Sequence, residues 1–465
     1  MQNKAFNLIN IKFKKKTGLM LLFLFFLVYG RAQNDLKSLL TLAEINYPAI
    51  AAKQAEADAA LVKVSLEKNT VLPSLDAAYQ ANYSTYNNIT GMSYPGQLLP
   101  ISGPPVPENY STAVPGSAAT LLLKWTPVTF GQRSAAVEYN QNMYEKQLAG
   151  LEDEVLRLKF RVAFAYIEIA STGELIKALQ KNIERSEFNL KQSKTLVFSG
   201  LRPAVDTLRL RGELSKAKTE LLQFDNLIQN QKQELFELLA SPEIQAIEPG
   251  SFFVSQLPVI PLDSQDVSRN PLLKMAQSEL GATQAKLNQV SRSWTPKLEF
   301  WGTTYARGSG IGFDGAVYKS DGWNLSRYNY GVGFQLAFPI LELTNVKLKT
   351  NQQKALLQSS ENYLNQTKLA LIKQEMVAMN DLATSLQIAA EVPNEYAAGE
   401  AAFNALQTRY TNGLIDYTEL IQSQYELFRA EASLKNAYAS AWKSLLKLAV
   451  IRGDINLFVN QIQNQ

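Results

Sequence analysis

The chain has 465 residues, with 46 Lys and Arg against 42 Asp and Glu, and it contains neither histidine nor cysteine. Their absence excludes disulfides, lipidation through a cysteine, thiolate or imidazole metal sites, and the commonest general base and thiol nucleophile of enzymes. The first 32 residues hold six basic and no acidic residues, so 40 basic face 42 acidic beyond them; that net charge of −2 gives no reason to expect a nucleic-acid surface.

At the N-terminus, Lys4, Lys12, Lys14, Lys15 and Lys16 precede an apolar run from Leu19 to Val28, and the small residues Gly30 and Ala32 follow. This is the pattern of a secretory signal peptide over residues 1–32, cleaved after Ala32; an apolar core of about ten residues is too short to span a bilayer. No later stretch reaches the roughly 18 apolar residues of a transmembrane helix. An exported chain of this kind either stays in the periplasm or crosses the outer membrane with strands.

Internal repetition organises the rest. Asn46-Tyr47-Pro48 opens a helical stretch that ends at Leu72-Pro73-Ser74-Leu75, and Arg269-Asn270-Pro271 opens another that ends at Thr295-Pro296-Lys297-Leu298. The proline interval is 25 in both. Trp125-Thr126-Pro127 corresponds to Ala337-Phe338-Pro339 at an offset of 212, and Ser199-Gly200-Leu201 to Asn412-Gly413-Leu414 at 213. The chain is a tandem duplication, each half ordered helix, strand, loop, strand, very long helix, Gly turn, helix. The first repeat is expected over 33–240, with strands at about 73–86 and 117–127 and helices at about 130–198 and 203–240. An irregular linker spans 241–265. The second repeat covers 266–452, with strands at about 296–306 and 327–338 and helices at about 342–411 and 415–452. Residues 453–465 read as a tail.

The strands alternate with period two. Tyr328, Tyr330, Val332, Phe334, Leu336 and Phe338 interleave with Asn329, Gly331, Gly333, Gln335 and Ala337, and Leu75, Ala77, Tyr79, Ala81 and Tyr83 with Ser74, Asp76, Ala78, Gln80 and Asn82. One apolar, aromatic face and one small or polar face suit a barrel wall between lipid and water; the strands alone fit a soluble antiparallel sheet equally well. The loops, 87–117 and about 306–327, are rich in Gly and Pro, like the outer loops of membrane barrels. The second contains Gly310-Ile311-Gly312-Phe313-Asp314-Gly315, a GxGxxG string. It lies between two amphipathic strands and opens no helix, so it is not read as a nucleotide site.

The long helical stretches carry most weight. Between Arg133 and Phe198 there is no proline, and the matching stretch from Leu343 to Asn412 is interrupted only by Pro393 and Gly399. Each would be roughly 100 Å long. Leu151, Val155, Leu158, Val162, Ala165, Tyr166 and Ile169 repeat with coiled-coil spacing. Helices of this length need partner helices along their apolar stripe, and four strands cannot close a barrel. Both deficits are met by oligomerising.

The duplicated pattern resembles the TolC-like outer-membrane efflux proteins over essentially the whole chain beyond the signal. That resemblance implies an α+β membrane protein and a homotrimer whose protomers give four strands each to a twelve-stranded barrel in outer-membrane lipid, with a periplasmic α-helical tunnel below. Pro73, Pro127, Pro296 and Pro339 fall where the family joins helix to strand, as suits a residue that ends helices and lacks a ladder N–H. The turns Ser199-Gly200-Leu201 and Asn412-Gly413-Leu414 correspond to the periplasmic tip where an adaptor protein docks; as plain helix ends they need no function beyond capping.

The resemblance also implies a periplasmic gate. Asp206 matches a gate aspartate, Tyr410 its tyrosine partner and Glu419 the first acidic ring. Ile415 stands where an arginine is expected and Gln422 where a second acid is, leaving Arg202 or Arg209 as substitutes. Without such a role, Asp206 complements a helix dipole and Glu419 is a solvated helix residue. The function implied is passive export, with no cofactor and no metal: an inner-membrane transporter drives it and an adaptor opens the tip. The alternatives are the outer duct of a type I protein-secretion system and, in a different class, a soluble periplasmic coiled-coil scaffold. Carboxylates remain for catalysis, but no pair of them is placed so as to require an enzyme.

Overall fold

The computed structural model describes residues 36–87, 108–241, 249–261, 267–312 and 314–463; the expected signal peptide, most of the 87–117 loop and parts of the linker lie outside them. The elements in order are α1 (Leu36–Asn46), α2 (Pro48–Asn69), β1 (Ser74–Ser84), β2 (Val114–Val128), α3 (Gln132–Phe198), α4 (Ala204–Leu239), α5 (Pro271–Ser291), β3 (Lys297–Ser309), β4 (Arg327–Ala337), α6 (Leu343–Thr411), α7 (Tyr417–Ile451) and α8 (Asn456–Gln463). Single 3-10 turns lie at Phe252–Val254, Lys319–Gly322 and Ile340–Glu342. The chain divides into two compact units. One comprises Met1–Asp58, Glu145–Gln277 and Tyr363–Gln465, and the other Ala59–Tyr144 and Ser278–Asn362.

The first unit is helical. Its core gathers Leu36, Leu39 and Ala43 of α1, Leu158, Val162, Tyr166 and Ile169 of α3, Leu235, Leu238 and Leu239 of α4, and Trp442, Leu445 and Leu446 of α7. Two short segments complete it. The 241–265 stretch supplies Phe252 and Phe253, which pack on Trp442 at ring separations of 5.2 and 5.3 Å. Trp442 is fully buried, and its indole N–H donates to the Gln256 carbonyl at 2.8 Å. Of the expected tail 453–465, the described residues 453–463 are ordered against the core. Gly453, at φ 73°, ends α7, the Asp454 carboxylate accepts from the Asn456 N–H, and α8 inserts Phe458 against Trp442 at 5.9 Å. Eight residues are too few for helical periodicity to be read from sequence.

Toward the α3 C-terminus the buried side of that helix changes character. Asn182, Ser186, Asn189 and Ser193 are all 5% exposed or less, at the spacing of one helix face. Gln424 of α7 bonds to the first three of them. A separate apolar cluster joins Leu210 of α4 to Phe403 and Tyr410 of α6 and to Tyr417, Leu420 and Leu427 of α7.

The second unit is built on an antiparallel sheet in the order β1-β2-β3-β4. The register puts Leu75 and Tyr79 of β1, Leu121, Leu123 and Trp125 of β2, Phe300 of β3 and Tyr330, Val332 and Phe334 of β4 on one face. Trp125, Phe300 and Phe334 form an aromatic row, 5.9 and 6.4 Å between neighbouring rings. This face is bare: Tyr330 is 85% and Leu75 66% exposed. The opposite face carries Gln80, Thr120, Thr303, Asn329 and Gln335, with Trp301 lying over Gly333 so closely that a Cβ there would come within 2.7 Å of the ring. Both outer strands, β1 and β4, pair on one side only.

Pro73 and Pro296 immediately precede β1 and β3, Pro127 sits in a register shift at the end of β2, and Pro339 follows β4. Arg133 ties the first of these junctions together, donating to the carbonyls of Thr70, Thr126 and Pro127 and to the Thr70 hydroxyl. β2 begins at Val114, earlier than the expected 117, because Pro115 lacks only the donor half of its ladder bonding: its carbonyl accepts from the Gly310 N–H at 2.9 Å. The GxGxxG string lies in the β3–β4 connection, bridged by Ile311 and Val317.

Candidate functional site

The two Gly turns of the helical unit are built alike. Gly200 (φ 74°) and Gly413 (φ 72°) take the left-handed conformation in which a glycine pays no Cβ penalty. The N–H of Gly200 bonds to Val197 O and that of Leu201 to Leu196 O; Gly413 and Leu414 repeat this with Tyr410 O and Arg409 O, all at 2.9–3.0 Å. These are Schellman caps, in which the residue after the glycine usually packs back on the helix. Here Leu201 and Leu414 remain 70% and 68% exposed, so their apolar side chains are left for another surface. Ser199 and Asn412 bond back to the Thr195 and Thr408 carbonyls and finish the helix ends.

The helices that leave the turns start differently. Asp416 caps α7, accepting from the Thr418 and Glu419 N–H groups, whereas Pro203 precedes α4 without a side-chain cap. Arg202 crosses from the first turn to the second, donating to the Ile415 carbonyl and placing its guanidinium 5.5 Å from the Tyr410 ring centroid. Tyr410 is 1% exposed, and its hydroxyl has no hydrogen-bond partner among the described residues. Asp206 is buried on the first turn of α4, and no hydrogen bond joins it to Tyr410. Arg202, rather than Arg209, therefore meets the tyrosine. Glu419 and Gln422 are exposed on α7, and the Gln422 amide donates to Glu426 at 3.0 Å.

Sequence reasoning missed three neighbours of these residues: Tyr417, Glu213 and Tyr425. Burial, with the Glu213 carboxylate next in effect, pushes the Tyr417 hydroxyl up to about 12 from 10. Tyr425 donates to the Glu213 carboxylate, and Lys216 lies 4.7 Å from the Tyr425 ring centroid. For Glu213 and Tyr425 the repeat offset was a signal that could have found them: they are 212 apart, as Arg202 and Ile415 are 213 apart, so equivalent positions of the two repeats meet each other. The raised Tyr417 value has a consequence for stability. Between about pH 10 and 12 the folded chain keeps a proton that the unfolded chain releases, so stability falls as pH rises through that window. Tyr417→Phe is expected to flatten the fall, read from thermal midpoints measured on either side of about pH 10.

An open, mainly apolar groove of about 630 Å³ lies elsewhere in the same unit, lined by Phe160, Val377, Ala378, Val450 and Ile451 with Lys373, Asp381 and Lys447. Among the described residues no group of three or more acidic side chains could hold a metal, and no helix is long and apolar enough to cross a membrane.

Residues 39–241 and 264–454 match the outer membrane efflux protein family. The chain is 22% identical over 306 residues to the cobalt-zinc-cadmium resistance protein CzcC of Cupriavidus metallidurans, covering 64% of this chain and 68% of that one. It is 18% identical over 426 residues to the outer membrane protein TolC of Escherichia coli, covering 89% and 81%. Among solved structures, the outer-membrane channel OprN superposes with a TM-score of 0.75 at 17% identity, over 90% of this chain and 89% of that one. The open state of the Neisseria gonorrhoeae MtrE outer membrane channel gives 0.74 at 14%, over 91% and 89%. With both repeats inside the family match and the fold shared along nine-tenths of its length, this chain belongs to the outer membrane efflux protein family, a family of outer-membrane channels.

Proposed function

We propose that three copies of this chain form a passive export duct, the outer-membrane component of a tripartite efflux system. The sheet carries this reading: it has one exposed aromatic and aliphatic face, one polar face and two unpaired edges. Unpaired edges are not tolerated in hydrocarbon, so β1 of one copy must pair with β4 of the next until the sheet closes at twelve strands, apolar face to lipid and polar face to water. The helices then form the periplasmic conduit. Energy comes from an inner-membrane transporter, and an adaptor docks on the exposed Leu201 and Leu414 at the tips.

The closed tip is a population held by weak ties, which adaptor binding shifts toward the open form. Asp206, Tyr410 and the exposed Glu419 surround the closure, and Arg202 takes the place of the arginine missing at Ile415, through the Tyr410 ring and the Ile415 carbonyl. Planar-bilayer conductance tests this. Arg202→Ala is expected to raise a small wild-type conductance several-fold. Tyr410→Phe should leave it unchanged, because the hydroxyl is unpartnered within the chain. Equal conductance in Arg202→Ala and wild type would discard Arg202 as the latch. No conductance from either, with protein soluble without detergent, would overturn the duct and favour the scaffold.

A further inference from the structure

Arg307 and Arg327 are direct cross-strand partners at the hairpin end of β3 and β4. Like charges placed opposite each other in an antiparallel pair, their Cα atoms about 5 Å apart, destabilise the sheet. Nothing nearby relieves this. Among the described residues neither guanidinium has a carboxylate within 4 Å, and both side chains are exposed. The row they share across the polar face is completed by Gln80 and Ala118. The adjoining rows, Ala78–Thr120–Tyr305–Asn329 and Asn82–Gly116–Ser309, hold no acid either.

The rest of that face is balanced. Near the opposite ends of the strands, Asp76 and Glu299 offset Lys124 and Lys297. In the β3–β4 connection Asp314 accepts from the Ala316 N–H and Asp321 from the Ser320 hydroxyl, and neither carboxylate lies within 4 Å of the two guanidiniums. In sequence the β1–β2 connection, 85–113, holds one charged residue, Glu108. The two arginines are therefore an uncompensated pair at a single level of the sheet.

We propose that Arg307 and Arg327 are an anion-binding site facing the water-filled side of the barrel mouth. In the closed trimer, on which this proposal rests, three pairs give a ring of six guanidinium groups. Paired guanidinium forks suit phosphate or carboxylate groups bidentately. The apolar side chains occupy the opposite face, so the anion met is a solute in the lumen and not a lipid headgroup. The ring gives the exit of the duct a preference for anionic cargo.

The test uses the full-length trimer in planar bilayers of phosphatidylcholine, with sodium tripolyphosphate titrated into each chamber in turn. Wild type is expected to be blocked from one chamber at a concentration roughly tenfold lower than Arg307→Gln/Arg327→Gln, with block from the other chamber unchanged between the two. Arg307→Lys/Arg327→Lys should retain part of the block, and raising KCl from about 0.1 to 1 M should weaken it. The same half-blocking concentration in wild type and the Gln pair, with both conducting, would overturn the ring while leaving the duct intact. A difference seen only in bilayers containing lipopolysaccharide would put the guanidiniums on the lipid side and overturn the lumen assignment. A wild type that conducts nothing overturns the duct, and the ring with it.

Discussion

Arg452→Ala is expected to lower the stability of the helical unit by about 3–5 kcal/mol, the range found when one partner of a buried ion pair is removed. Arg452 closes the C-terminus of α7, where its backbone N–H bonds to Leu448 O. Its Nε donates to Glu375 Oε1 of α6 at 2.8 Å, and each side chain is only 4% exposed. The truncated variant leaves the Glu375 carboxylate in a dry position with no counter-charge. Arg452→Met/Glu375→Leu removes both charges while keeping apolar volume, so it should recover most of the loss. Urea unfolding in detergent, followed by tryptophan fluorescence, checks both variants. A single variant as stable as wild type would mean that water reaches Glu375 and that the pair is not buried in the assembled protein.

The contrast between Arg452 and the tip glycines shows which parts of this chain can be read from its sequence. Gly200, Gly413 and the junction prolines announce themselves because each imposes a local backbone rule: a positive φ at a helix end, or a missing N–H where helix gives way to strand. Their recurrence at a fixed interval then reveals the duplication. Period-two alternation likewise assigns the apolar face of the sheet, since each strand's facing follows from the pleat alone. Pairings between distant elements leave no such mark. Glu375 and Arg452 lie 77 residues apart in helices where a charged residue ordinarily reads as solvated surface.

The same limit explains the tip. A correspondence by position offered Asp206 and Tyr410 as partners, but a hydrogen bond depends on side-chain reach and rotamer, which position in a repeat does not determine. Arg202, two residues past its glycine, instead spans to Ile415. Phe252 and Phe458 were missed for a different reason. They sit in segments too short or irregular for periodicity, and they meet around the fully buried Trp442 and the neighbouring Phe253.

Gln424→Ala is the second large effect, and it ties stability to opening. The Gln424 amide donates to Asn182 Oδ1 at 2.8 Å and to Ser186 Oγ at 2.7 Å, and its oxygen accepts from the Asn189 amide at 2.9 Å. Gln424 and all three partners are buried. Alanine leaves dry polar groups, each worth about 1–3 kcal/mol when orphaned, so a total loss of roughly 3–5 kcal/mol is expected once some water enters. Adding Asn189→Ala should cost less than the sum of the singles, because the two side chains share a bond. This seam differs in kind from the apolar packing at Leu158, Val162 and Ile169 of the same helix: its hydrogen bonds can be exchanged for water, whereas separating those aliphatic side chains exposes hydrocarbon. The α3–α7 contact should therefore part first along Asn182–Asn189. Hydrogen exchange read by mass spectrometry is expected to rise in peptides covering 182–193 of Gln424→Ala while those covering 158–169 stay protected. Uniform loss of protection across both stretches would show that the helix opens as one piece and that the polar seam has no separate part in the motion.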